Sequence, residues 1–184
     1  SHPGRFVSYF YQIKEVLSLS PKSILEVGVG DKVFGDYIKN NTRVFYKTMD
    51  VAEDLKPDIL GNVLELPFKE GEFDMVVAFE VLEHLPFDKF ERAISEMYRV
   101  SAKYVALSLP HFGPPVKFML KIPFLPEIKF AFKFPFYKKH EFNGEHYWEL
   151  GKKDYPVSRI IKMLEGKFKI SKHFVPFENQ YHHF

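Results

Sequence analysis

The feature that most constrains the fold is a series of short apolar runs, each closed by a turn or breaker and separated by stretches of helical period. They are Ile24 to Val27 before Gly28, Phe73 to Phe79 within "EFDMVVAFEVLEHLP", and Lys103 to Leu109 before Pro110. Runs this short and this uniformly apolar suit strands buried on both faces of a parallel sheet. Residues 33–40 and 87–100 read as the helices between them, the second with Phe90, Ile94, Met97 and Tyr98 on one face. A further strand is predicted from Arg43 to Val51 and a short one around Asp58–Leu60. Upstream, Phe6, Phe10, Ile13 and Leu17 fall at helical spacing and predict an amphipathic helix over 5–19, ended by Ser20-Pro21. The expectation is an α/β chain: a Rossmann-like open, mostly parallel sheet with helices on both faces.

The pattern breaks after Pro110. Residues 111–150 are rich in Phe, Lys and Pro and keep no clean period, which predicts an aromatic-rich insertion after the fifth strand. A helix over Val157–Leu164 and a strand over Lys167–Val175 follow, and "ENQYHHF" reads as the start of a last antiparallel strand. The chain is therefore divided into an N-terminal helix (1–21), a core (22–110), a lid (111–150) and a C-terminal helix and strand (151–184), all within one domain.

Composition excludes several chemistries. With no cysteine there is no disulfide framework, thiolate nucleophile, iron–sulfur cluster or cysteine zinc site. A cytoplasmic location is expected on that ground, and no metal-ligating set is expected. The net charge of +2 is too small to make nucleic acid or an anionic membrane the main partner. No apolar run reaches the roughly 18 residues that span a bilayer, and no signal peptide is visible. The opening Ser1-His2 reads as a tag remnant.

The turn in "SILEVGVGDKVFGDYI" separates two classes of nucleotide-like cofactor. A dinucleotide fingerprint places its third glycine at position 33, where this chain has Val33. A pyrophosphate needs a tight, open helix start there, so the dinucleotide reading loses ground. Around the turn, Glu26 precedes the glycines, Asp50 ends the second strand, and "GNVLELPF" and "FDMVVAFEVLEHL" follow in order. Together these motifs, over roughly residues 22–110, resemble the class I S-adenosylmethionine-dependent methyltransferases of the methyltransferase type 11 family.

The resemblance implies S-adenosylmethionine as cofactor, S-adenosylhomocysteine as product, and a role for each motif residue. Gly28 and Gly30 let the amino-acid tail and ribose lie against backbone. Asp50 accepts the ribose hydroxyls and Val51 packs on the adenine. Asn62-Val63 stands where the family meets the adenine edge, with Asn in place of the usual Asp. The carbonyl of Phe79 takes the cofactor ammonium and Glu80 faces the reacting methyl. The family often continues with another glycine where this chain has Lys32; a positive φ there costs about 1 kcal/mol, so a variant turn is expected. Glu83 and His84 are expected to cap or orient the following helix.

A sulfonium methyl is already activated, so the enzyme mainly positions a nucleophile and excludes water. Acceptor identity is then expected in whatever covers the methyl, here residues 111–150. Their aromatics allow three readings: a lid closing a second small core or a homodimer contact, a pocket for a lipid-like or aromatic acceptor, or an interfacial membrane contact. The alternation in "IKFAFKFPFYKK" has a period of two, which weakens a membrane helix. "GEHYWELGKKDYP" resembles a recurring element of archaeal and bacterial type 11 members, and Tyr147, Trp148 and Glu149 are taken as acceptor-lining. His111 and His146 are the candidate bases, useful if the acceptor is a hydroxyl or protonated amine. The expected function is methyl transfer to a small-molecule, lipid-like or sugar-like acceptor by direct displacement. Nucleic acid is disfavoured because the Asn/Asp-Pro-Pro-Tyr motif of base-amine methylation is missing. A non-catalytic binding module and an RNA methyltransferase are the alternatives.

Overall fold

The computed structural model describes residues 3–134 and 138–184; Ser1, His2, Pro135, Phe136 and Tyr137 lie outside them. A central sheet of order β3-β2-β1-β4-β5-β8 is built from β1 (Ser23–Val27), β2 (Phe45–Asp50), β3 (Ile59–Leu60), β4 (Phe73–Phe79), β5 (Ser101–Pro110) and β8 (His182–His183). All pairings are parallel except β5–β8, where Leu109 and Pro110 oppose His183 and His182. The open, mostly parallel sheet and the last antiparallel strand are therefore as expected.

Alternation along β1 and β4 sorts side chains onto two faces. Ile24, Met75 and Val77 meet Val16 of α1 (Pro3–Ser18) and Phe34 and Ile38 of α2 (Val33–Asn41). Leu25, Val27, Val76 and Ala78 meet Phe90, Ala93, Ile94 and Met97 of α3 (Phe90–Val100) and Ile160 of α4 (Val157–Glu165). Both faces are covered, which is why both strands read as largely apolar runs, broken only by Glu26 in β1 and Asp74 in β4.

Three local expectations are corrected. Phe6 and Phe10 are exposed, because α1 buries Ser8, Gln12 and Val16 instead. Ser8 hydrogen-bonds His182 and Asn179, and bonding of this kind makes a polar face burial-tolerant. Tyr98 stands off the buried face of α3 and packs edge-on against Phe168. Residues 167–175 form no ladder; Phe174 exchanges both backbone hydrogen bonds with Phe184 and stacks on its ring.

Segment 111–150 holds an antiparallel hairpin, β6 (Pro115–Leu120) with β7 (Ile128–Lys133). Its register puts Val116, Phe118, Leu120, Ile128, Phe130 and Phe132 on one face, all exposed. The expected second small core is absent among the described residues. On the opposite face Lys117 and Lys129 lie over the Phe177 ring, which ties the hairpin to the C-terminal segment.

Candidate functional site

The strand order reverses between β1 and β4, and ligands of open α/β sheets bind at that crevice beyond the strands' carboxyl ends. A cavity of about 690 Å³ opens there, lined by the turn after β1, the end of β4, α1, Glu145, His146 and Glu149, and the C-terminal segment.

The floor is backbone. Gly28 has φ +82, and a Cβ on it would meet Val81 Cγ2 at 2.3 Å, so the turn and the loop after β4 touch only because that side chain is missing. An added Cβ on Gly30, at φ +50, meets nothing within 4 Å: this glycine faces open cavity. Lys32 does adopt the left-handed region, with φ 66, and precedes α2. Asp50 Oδ2 accepts the Val29 N–H at 2.7 Å and Oδ1 accepts the Ala52 N–H at 2.9 Å. The carboxylate is thus fixed to the turn by one oxygen and to its own loop by the other, and each oxygen keeps a lone pair.

Glu26 sits under this floor, accepting a hydrogen bond from the Tyr46 hydroxyl. Burial pushes its carboxyl up to about 8, and the Tyr46 bond offsets only part of that. Gly28, Gly30, Glu26, Phe79 and Glu80 all line the cavity. Asp50, Val51, Asn62 and Val63 lie outside its lining. Val51 is exposed and Val63 buried in the core, while Asn62 Oδ1 accepts the Leu64 N–H at 2.9 Å and keeps one lone pair.

The opposite wall is made of side chains. At the end of β4, Glu80 takes a positive φ of 54. Such strain in a non-glycine residue persists only where the surroundings enforce it. Its N–H donates to the Ser108 carbonyl at 3.0 Å, and Oε2 lies 3.5 Å from His182 Nε2. Glu83 and His84 do not cap α3; they form a short 3-10 turn, Leu82–His84, that lines the cavity. Glu83 is fully buried, and burial together with the nearby Glu80 charge raises its carboxyl. His84 Nδ1 lies 3.0 Å from the Glu145 carbonyl, and His146 Nδ1 lies 3.1 Å from Glu149 Oε1.

Residues 145–149 are clamped to the turn from behind. The Tyr147 N–H donates to the Glu83 carbonyl at 2.8 Å and the Trp148 indole N–H to the Leu82 carbonyl at 3.2 Å. Trp148 is wholly buried against Phe87, Phe90 and Tyr155. The expectation that it lines an acceptor site is corrected: a ring of its size fills the core and anchors the strip that does line the cavity. Tyr147 is half-exposed against Phe142 and also stands outside the lining, while Glu149 and His146 are inside it.

His111 lines the cavity too. Burial, then the charges of Lys133 and His183, lower it to about 3, which keeps the ring neutral. Of the hairpin, no residue of β6 or β7 reaches the cavity; Phe112 just before it does. The cover is instead Arg5, Ser8, Tyr9 and Gln12 of α1 with Tyr181 and His182. Sequence reasoning missed these because they sit at opposite ends of the chain. A signal was present for α1: Ser8 and Gln12 fall one turn apart on the same face as buried Val16.

Comparison with known proteins agrees with the geometry. A family model described as a methyltransferase domain, Methyltransf_11, matches residues 25–106. A curated relative, norajmaline N-methyltransferase of Rauvolfia serpentina, is 33% identical over 122 residues, 55% of this chain. The chain spans 41% of that relative's length. The PH0226 protein of Pyrococcus horikoshii OT3 superposes with a TM-score of 0.61 at 11% identity, over 97% of this chain and 88% of that one. Magnesium protoporphyrin IX methyltransferase of Synechocystis PCC 6803, solved with bound SAH, gives 0.51 at 14% identity, over 59% of this chain and 57% of that one. Residues 25–106 are thus similar to the type 11 methyltransferase domain, the family that the motifs resemble.

Proposed function

We propose that this chain, similar over residues 25–106 to a type 11 methyltransferase domain, binds S-adenosylmethionine at the β1–β4 crevice and methylates a small-molecule acceptor by direct displacement. One observation carries the reading: the glycine turn, open at Gly30, is locked by Asp50 Oδ2 to the Val29 N–H. That leaves a hydrogen-bonded carboxylate beside a cradle bare of side chains. The residues fit the cofactor. Asp50 would hold the ribose, Val51 and the Asn62–Val63 backbone the adenine, and Gly28, Gly30 and Phe79 the amino-acid end. Asn62 Oδ1 gives one lone pair to the Leu64 N–H and keeps the other, which would accept from the adenine amino group beside the Val63 N–H. When bound, the cofactor supplies a methyl on cationic sulfur, which keeps the electron pair of the breaking bond as the acceptor atom forms the new one.

Glu26 and Glu80 line the path a cationic cofactor must take, and a bound sulfonium would favour the ionised form of carboxyls that burial otherwise keeps protonated. The acceptor end is walled by Glu83, His84, Glu145, His146 and Glu149. That polarity suits an acceptor with oxygen or nitrogen atoms over a bare hydrocarbon. Where the acceptor sheds a proton, His146, oriented by Glu149, is the candidate base, since burial disarms His111.

Calorimetry with S-adenosylmethionine tests the reading. Wild type should bind one equivalent, and Asp50→Ala should weaken binding about 10- to 100-fold, as expected for a charged hydrogen-bond acceptor. Binding of NAD in place of S-adenosylmethionine would overturn it. Labelled-methyl transfer to none of a broad panel of amines, hydroxyls and RNA would leave a binding module.

A further inference from the structure

We propose that Glu83, His84 and His146 form a divalent-cation site on the acceptor wall of the cavity. One ligand atom from each lies within 4.8 Å of the others. The spacing is wide enough to hold an ion between them and close enough for modest side-chain rotation to reach metal–ligand distances near 2.1 Å.

The independent observation is Glu83 itself. It is completely buried, yet neither carboxylate oxygen has a hydrogen-bond partner among the described residues. The nearest cationic candidate, His84 Nε2, stands 4.0 Å from Oε1, beyond hydrogen-bond reach. Buried carboxylates are ordinarily paired or coordinated. This one is held in place by backbone, through the Tyr147 N–H on its carbonyl, and points its side chain at two imidazoles.

The imidazoles are prepared as metal ligands usually are. A ligating histidine gives its second ring N–H to a carbonyl or carboxylate, which fixes the tautomer and aims the other nitrogen. His84 Nδ1 meets the Glu145 carbonyl, and His146 Nδ1 meets Glu149 Oε1. With protons on both Nδ1 atoms, both Nε2 lone pairs are left free. Glu149 is in turn held by Lys152 at 3.6 Å. Glu80 adds a second carboxylate on the same wall, three residues before Glu83. Two imidazoles and a carboxylate favour a first-row ion in the range Mn²⁺ to Zn²⁺ over Mg²⁺ or Ca²⁺.

Three protein ligands leave coordination positions facing the cavity. These suit an acceptor with two neighbouring oxygens, such as a vicinal diol or catechol. The cation would orient that pair and make a hydroxyl acidic, its proton leaving to solvent before the oxygen takes the methyl. His146 then works as a ligand, in place of acting as a free base. The role in turnover rests on the methyl-transfer reading; cation binding does not.

Titration of the cofactor-free protein with Mn²⁺, followed by electron paramagnetic resonance, tests binding alone. The expected result is one bound ion, with affinity at least tenfold weaker in both Glu83→Gln and His146→Asn. Because the buried Glu83 substitution can perturb folding, His146→Asn is the decisive variant, and the visible Co²⁺ absorption should weaken and shift with it as one of two imidazoles is lost. His183→Asn controls for the other histidine cluster, where His183 Nε2 lies 3.2 Å from His173 Nδ1. No stoichiometric ion, or binding lost in His183→Asn and kept in His146→Asn, would overturn the proposal. Independent S-adenosylmethionine calorimetry on the same samples keeps its failure separate from failure of the cofactor assignment.

Discussion

The two walls of the cavity are built on different principles. The β1 side is backbone and short-range: residues 28–33 form it, fixed from behind by Asp50, and the strand that carries it is buried on both faces. The β4 side is side chains gathered from Glu80 to His84, 145–149 and the chain's two ends, held by a single buried tryptophan and a few carbonyls. The first is tolerant of what lies elsewhere in the chain. The second depends on distant packing, and its chemistry can change without altering the sheet.

The largest test of that contrast is Trp148→Ala. Removing a ring buried on Phe87, Phe90 and Tyr155 should cost about 3–5 kcal/mol in denaturant unfolding. In the fraction that remains folded, cofactor affinity should fall far less than cation affinity on the opposite wall. Equal losses on both sides would break the comparison, showing the walls to be one unit.

A pH series examines the backbone wall. Glu26 has a folded value near 8 against an ordinary 4.5, so the folded state keeps a proton that the unfolded state has released. Stability should therefore be greatest below about pH 4.5 for this group, fall as pH rises toward 8, and level off beyond it. Glu26→Gln should flatten that decline in urea melts taken across the interval. An unchanged slope would show that Glu26 is ionised in the folded protein.

The smallest effect is at Lys32. With φ at 66, Lys32→Gly should remove about 0.5–1 kcal/mol of left-handed strain, partly offset by the entropy glycine loses on folding. A gain in melting temperature of about 1–2 °C, with cofactor affinity unchanged, is expected. Lost affinity would mean that the lysine side chain contributes to the backbone wall.

The same contrast explains what the sequence made legible. Strands buried on both faces announce themselves, so β1 and β4 were readable from Ile24–Val27 and Phe73–Phe79, and the glycine turn followed from its neighbours. The acceptor wall was not readable in that way. Trp148 looked like a ligand-stacking aromatic because its neighbours in sequence are polar, whereas its neighbours in space are Phe87, Phe90 and Tyr155. Glu83 and His84 looked like ordinary helix-start residues, since nothing local reveals that 145–149 folds onto them. Phe6 and Phe10 carried the helical period of α1 but on its outer face, because Ser8 and Gln12 are buried through partners near residue 180. Segment 111–150 was expected as a lid, yet its hairpin packs through lysines on Phe177 and leaves its aromatic face outside.

The cover over the cavity joins positions 174 residues apart, through the Ser8–His182 contact, with Asn179 donating to the Gly4 carbonyl beside it. Closing so long a loop is entropically expensive and comes late, after local structure is in place. Anything that occupies the cavity and touches both ends fastens that loop shut. Occupancy should then be read most sensitively at a distance from the chemistry, as slowed amide hydrogen exchange throughout α1.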